Sequence, residues 1–365
     1  MRIALSTGGG DAPGLNAVIR AATFAAHRRG WEVVGIRDGF NGILFPDHYP
    51  NGEGMLELDS HNVRGIGHLG GTMLGSTNRG NPCHFPVVQP DGSVEYIDRT
   101  AELVQRFREE GIDALITIGG DGSLSIGLRL FEEGLRVIGV PKTIDNDLDK
   151  TLVTFGFGTA VEIATESIDR LFTTAASHSR VFVVEVMGRY AGWIALYAGV
   201  ASGAHVILIP EIPFSYDSVA RAIQRREVGG AHYTIVVVAE GAAPLHGHRE
   251  IIATSTDHAE RLGGIGHVVA DEITRITGKE ARTVVLGHLV RGGTPTATDR
   301  LLGSRFGAAA VRALDEGMNG VMVALNEPNV EFVSLSDAVG ALRLVPLDND
   351  TLLTGRELGT SFGDD

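Results

Sequence analysis

The chain carries a single cysteine, Cys83, in 365 residues. One thiol cannot close an intrachain disulfide, so a disulfide-stapled scaffold is excluded and a reducing, cytoplasmic setting is expected. Cys83 itself reads as a free surface thiol. Positive charge is also in short supply: 31 Lys and Arg against 45 Asp and Glu leave a net charge of -14. That surface would repel a nucleic-acid backbone, so no nucleic-acid partner is expected. An anionic small substrate stays open, because a few arginines dominate the field inside one cleft. No apolar run of ~18 residues occurs, so no membrane span is expected. The opening Met1-Arg2-Ile3-Ala4-Leu5-Ser6 stops at Gly8, Gly9 and Gly10 before any signal-peptide core forms, and reads as a first buried strand.

With 43% hydrophobic and 21% charged residues the chain can bury a large core. At roughly 100–200 residues per domain, two domains are expected. Short β-branched runs alternate with longer amphipathic stretches: strand 2–6, helix 16–28, strand 32–37, then strand 114–118, a helix from about 124 to 133 and strand 136–140. Further strands are expected at 181–186, 206–209, 234–239 and 283–286, with a connecting helix over 159–176. Continuous apolar strands separated by helices mean mainly parallel sheets covered on both faces, an α/β class built of three-layer αβα domains. Residues 46–63 and 84–100 are polar and weakly periodic, hence loops or insertions. Ligands of such sheets bind beyond the carboxyl ends of the strands.

Three motifs follow strand ends. Gly8-Gly9-Gly10-Asp11-Ala12-Pro13-Gly14 opens into a helix, where close backbone approach and a helix N-terminus suit a phosphate; the alternative is a tight strand-to-helix turn. Gly119-Gly120-Asp121-Gly122-Ser123 repeats the arrangement. Magnesium needs only one or two carboxylates beside phosphate oxygens and water, so Asp121 suffices as its protein ligand, unless it merely caps the helix. Pro141-Lys142-Thr143-Ile144-Asp145-Asn146-Asp147 places two carboxylates beside a lysine and a hydroxyl. That set suits proton removal from an alcohol attacking a phosphoryl group, against the alternative of a polar Asx turn.

In this order the three motifs resemble the 6-phosphofructokinase family. The resemblance extends to Val184-Glu185-Val186-Met187-Gly188-Arg189-Tyr190-Ala191-Gly192 and Leu286-Gly287-His288-Leu289-Val290-Arg291-Gly292-Gly293, spanning about residues 2–312. It implies transfer of the γ-phosphate of ATP to O1 of fructose 6-phosphate, with Mg2+ as cofactor. The resemblance makes Asp145 the general base, supported by Thr143 and Asp147, with Lys142 beside them; Gly10 and Arg189 would steady the transferred group. Gly10, Arg79, Gly120, Asp121, Gly122 and Ser123 would bind the donor, Asp121 holding the metal. Arg180, Arg282, His288 and Arg291 would hold the 6-phosphate, while Met187, Gly188 and Glu240 would face the sugar. In the family, arginines matching Arg180 and Arg282 come from a neighbouring subunit, which implies a homo-oligomer, tetramer or dimer, with shared active sites. The expected domains are 1–156 with about 290–330 for the donor, and 157–289 with about 331–365 for the sugar phosphate.

Pyrophosphate-using members carry an Asp where this chain has Gly122 and a lysine at the position of Lys142. An Asp would occupy the space of the nucleotide's α-phosphate, whereas a lysine excludes no donor, so ATP is favoured and pyrophosphate is the alternative. Phe24, Phe172, Gly229 and Ala231 stand where allosteric members carry cationic groups, so that mode of control is not expected. A nicotinamide nucleotide or lipid kinase, a sedoheptulose 7-phosphate acceptor and a non-catalytic sugar-phosphate sensor are the rival readings. A sensor would not need Asp145 and Asp121. Residues from about 326 to 365 extend past the core motifs; assembly is one role open to them, and the sequence does not settle it.

Overall fold

Runs such as Ile3-Ala4-Leu5 put apolar side chains on consecutive positions, so both faces of the strand they form need cover. A computed structural model, which describes residues 1–254 and 260–365, shows how that cover is supplied. In its first half the strands are β1 (Arg2–Thr7), β2 (Glu32–Ile36), β3 (Met55–Glu57), β4 (Phe85–Val88), β5 (Val94–Ile97), β6 (Ala114–Gly119), β7 (Val137–Thr143) and β8 (Phe155–Gly156). There follow β9 (Val181–Val186), β10 (Val206–Leu208), β11 (Thr234–Ala239), β12 (Ile251–Thr254), β13 (Glu260–Leu262), β14 (Ala281–Val285), β15 (Val321–Asn326) and β16 (Asn329–Ser334).

Two compact units result. The first comprises Met1–Ile144, Leu148–Gly156 and Arg291–Ala341. Its sheet runs β16-β15-β7-β6-β1-β2-β3, with β8 added beside β7. The inner pairs are parallel; β3 and β16 close the edges antiparallel. Ile3 and Leu5 face a cluster shared with the helices Leu15–His27 and Ala297–Asp315, while Ala4 between them faces one shared with the helices Thr100–Glu109 and Asp121–Glu132. The second unit comprises Asp145–Asp147, Phe157–Val290 and Leu342–Asp365. Its four strands, in the order β10-β11-β9-β14, are all parallel. The helices Tyr216–Val228 and Ile265–Thr277 pack against Val181, Val183, Val236 and Val238 from these strands. The helices Phe157–His178 and Trp193–Ser202 also pack on the sheet. Both units are three-layer α/β structures. No helix among the described residues is long and apolar enough to cross a membrane.

Some expectations change. Residues 46–63 and 84–100 are not loops throughout: β3 lies in the first stretch and the β4–β5 hairpin in the second, held by backbone ladders that a weak apolar pattern does not advertise. Residues 331–341 cluster with the first unit, because β16 pairs antiparallel with β15 and carries the short helix after it. The helix expected from 124 starts at Asp121, directly after an extended Gly120. Cys83 is half-buried, not a surface thiol, and burial pushes its thiol pKa up.

Candidate active site

Strands β7, β6 and β1 are neighbours and parallel, so the three motifs that follow them emerge side by side at one edge of the first sheet. The glycines are needed for proximity. A Cβ on Gly8 would meet Ser123 Oγ at 2.5 Å, and one on Gly119 would meet Ser123 Cβ at 2.2 Å. Ser123 is therefore wedged against the ends of β1 and β6. Gly122, one residue earlier in the same helical turn, has nothing within 4 Å of an added Cβ.

The first glycine loop is pinned by its carbonyls, which turns its backbone into a fixed frame. Ser76 Oγ donates to Gly9 O at 2.5 Å, Lys142 Nζ donates to Gly10 O, and Arg291 Nη1 donates to Asp11 O at 3.1 Å. Lys142 is only 4% exposed, and burying an ammonium is tolerable only with such acceptors. Gly9 N donates to Thr77 O, and Thr77 Oγ1 accepts from Arg79 N at 3.0 Å, so exposed Arg79 stands beside the same loop. Asp121 opens the helix after Gly120, and its Oδ1 accepts from Gly340 N at 2.8 Å. Thr143 ends β7, and its carbonyl accepts from Thr154 Oγ1 at 2.7 Å. Asp145, Asn146 and Asp147 then turn away with Asn146 at a positive φ of 54° and buried.

In the second unit, Met187, Gly188 and Arg189 follow β9, and Glu240 follows its neighbour β11. Glu240 N donates to Val186 O at 2.9 Å and Gly241 N to Gly188 O at 3.1 Å, which ties the two strand ends together. The Arg189 guanidinium lies over Tyr190, and Arg249 stacks on the same ring at 5.1 Å from its centroid. Arg249 carries no motif and was not anticipated. Exposed His288 lies in the turn after β14, whereas Arg291 belongs to the first unit beside Gly10.

Arg180 and Arg282 are not brought to this end. Arg180 precedes β9, and Arg282 pairs with Phe182 near the amino end of the sheet. At about 3.3 Å per residue, the length of β9 puts Arg180 roughly 20 Å from Met187. Both arginines instead pair with Glu280, Arg180 at 2.7 Å, and these bonds hold the Glu280 carboxyl below its usual range. One copy of the chain does not gather the whole expected phosphate-binding set.

Residues 2–314 match the family model described as Phosphofructokinase. The chain belongs to the phosphofructokinase family. It is 51% identical over 364 residues to the ATP-dependent 6-phosphofructokinase of Chloroflexus aggregans, covering 100% of this chain and 98% of that one. It is also 51% identical over 352 residues to the pyrophosphate--fructose 6-phosphate 1-phosphotransferase of Amycolatopsis methanolica, covering 95% and 96%. Among solved phosphofructokinases, that of Pichia pastoris in the T-state matches at TM-score 0.77 and 32% identity; the match covers 92% of this chain and 35% of that one. The fold alone is shared with a pyrophosphate-dependent phosphofructokinase from Nitrosospira multiformis, at TM-score 0.80 and 24% identity over 98% of this chain and 90% of that one.

Proposed function

We propose that this phosphofructokinase transfers the γ-phosphoryl group of ATP to O1 of fructose 6-phosphate, giving fructose 1,6-bisphosphate and ADP, as a glycolytic enzyme of the cytoplasm. The observation that carries ATP over pyrophosphate is the clear space at Gly122, in the first turn of a helix whose N-terminus faces the donor loops. Lys142 favours pyrophosphate as the second reading, together with the 51% identity to the Amycolatopsis enzyme. Its ammonium donates to the Gly10 carbonyl in the first glycine loop.

In this reading the first unit binds the donor and the second the sugar phosphate. Asp145 takes the proton of the 1-hydroxyl as O1 bonds to the γ-phosphorus and the bond to the β-phosphate oxygen breaks. Thr143 and Asp147 support Asp145, and the Gly10 backbone and Arg189 meet charge building on the equatorial oxygens. Met187, Gly188 and Glu240 face the sugar. Among the described residues no group of three or more His, Cys, Asp or Glu could hold a metal. Magnesium takes most of its ligands from phosphate and water, so Asp121 would be its protein ligand. When bound, the ion neutralises charge on the donor phosphates.

The 6-phosphate is held by His288 and Arg291 with Arg180 and Arg282 of a neighbouring copy. The separation of those two arginines from Met187 supports a shared site, as does the exposure of Arg282, Val285 and Leu289 at the β14 edge. The test compares initial rates with fructose 6-phosphate, magnesium and either ATP or pyrophosphate. Turnover with ATP is expected to dominate; faster turnover with pyrophosphate would make Lys142 the deciding residue, and none with either would leave a sensor or another acceptor.

A further inference from the structure

The first residues after Ala341 run through the second unit and bond to the turn that carries the proposed base. Arg343 N donates to Asp147 O at 2.9 Å. The Arg343 carbonyl accepts from the Nε1–H of buried Trp193 at 2.9 Å, and its guanidinium lies over the Trp193 ring at 4.7 Å. Two residues on, Val345 N donates to Glu211 Oε1 at 2.8 Å. The same carboxylate accepts from Gly192 N at 3.0 and 3.2 Å, and Gly192 ends the segment that begins with Met187 and Arg189. A carboxylate accepting several backbone N–H groups makes charge-assisted bonds stronger than neutral ones. Glu211 belongs to none of the recognised motifs.

We infer that Glu211 is a positioning residue for phosphoryl transfer, acting through residues 343–345. One carboxylate fixes both the end of the Arg189 segment and the C-terminal strap whose backbone holds Asp147, and with it the orientation of Asp145. Misplacing a reacting group by about 1 Å costs on the order of a hundredfold in rate, so a loosened strap costs turnover before it costs the fold. The inference rests on the function proposed above.

The test uses the full chain with ATP and fructose 6-phosphate, as wild type, Glu211→Gln, Trp193→Phe and the double variant. Glu211→Gln is expected to lower kcat about tenfold with KM for ATP within about twofold of wild type. Trp193→Phe, which removes the donor to Arg343 O and shrinks the ring beneath its guanidinium, is expected to lower kcat about threefold. Because both act through the strap, the double variant is expected to be no slower than Glu211→Gln alone. Multiplying losses, or a folded Glu211→Gln with kcat near wild type, would overturn the inference. If Glu211→Gln does not fold, Glu211→Asp keeps the charge but is too short for both amides, and is read by the same criteria. Wild type without turnover would sink the proposed function instead, which separates the two failures.

Discussion

At the scale of single residues, two side chains carry opposite lessons. Asp145 is placed by a turn whose buried Asn146 has positive φ, so a change that keeps its shape leaves the turn intact. Asp145→Asn is expected to retain the wild-type circular dichroism and melting temperature while kcat falls by about 10²–10⁴, the usual worth of a general base. His205 has no part in the chemistry but sets a pH limit. Its Nδ1 accepts from Ile235 N at 2.9 Å, and Phe172 and Tyr233 pack edge-on against its ring. Burial, helped by the nearby Arg226 charge, drops its pKa from 6.5 to about 4. The unfolded chain therefore binds this proton more readily than the native one, and stability rises with pH across that window. Thermal melts are expected to show wild type losing stability between pH 6.5 and 4, with a smaller loss in His205→Phe; equal losses would assign the effect to other groups.

At the scale of elements, the informative object is a strand end followed by a helix. The first turn of the helix Asp121–Glu132 holds a wedged Ser123 beside an unobstructed Gly122. An aspartate near a helix N-terminus is favourable for the helix itself. Gly122→Asp is therefore expected to fold as well as wild type while kcat/KM for ATP drops at least tenfold, about 1.4 kcal/mol or more, and that for pyrophosphate does not. A matched drop for both donors would show that the space is not selective. The same elements explain what could be read beforehand. The glycine and aspartate motifs follow unbroken apolar strands, which makes both strand and site visible in sequence. Strands β4 and β5 are short and partly exposed, so their pairing leaves little apolar pattern. Glu211 acts on backbone amides at Gly192 and Val345, and a backbone donor has no residue signature at all.

For the whole molecule, the sheet of the second unit sets the limit on what one copy can do. Sequence resemblance gathers Arg180, Arg282, Met187 and His288 into one list, but β9 and β14 spread them over opposite ends of the strands. If a second copy supplies the two arginines, two inactive variants complement each other. Asp145→Asn mixed and co-folded with the Arg180→Ala, Arg282→Ala double variant is expected to recover roughly a quarter of wild-type turnover, from sites that take an intact half from each. No recovery, with mixed oligomers demonstrated by mass, would confine the site to one chain.

The unfilled position at Gly122 also has a meaning in heredity. A glycine codon ending in a pyrimidine becomes an aspartate codon by one base change, and here the Cβ that change adds would meet nothing within 4 Å. The choice between spending a nucleotide and spending a by-product of biosynthesis would then be separated by a single mutational step. Lineages could cross it as their supply of either currency changes, leaving both kinds of enzyme on near branches of one tree.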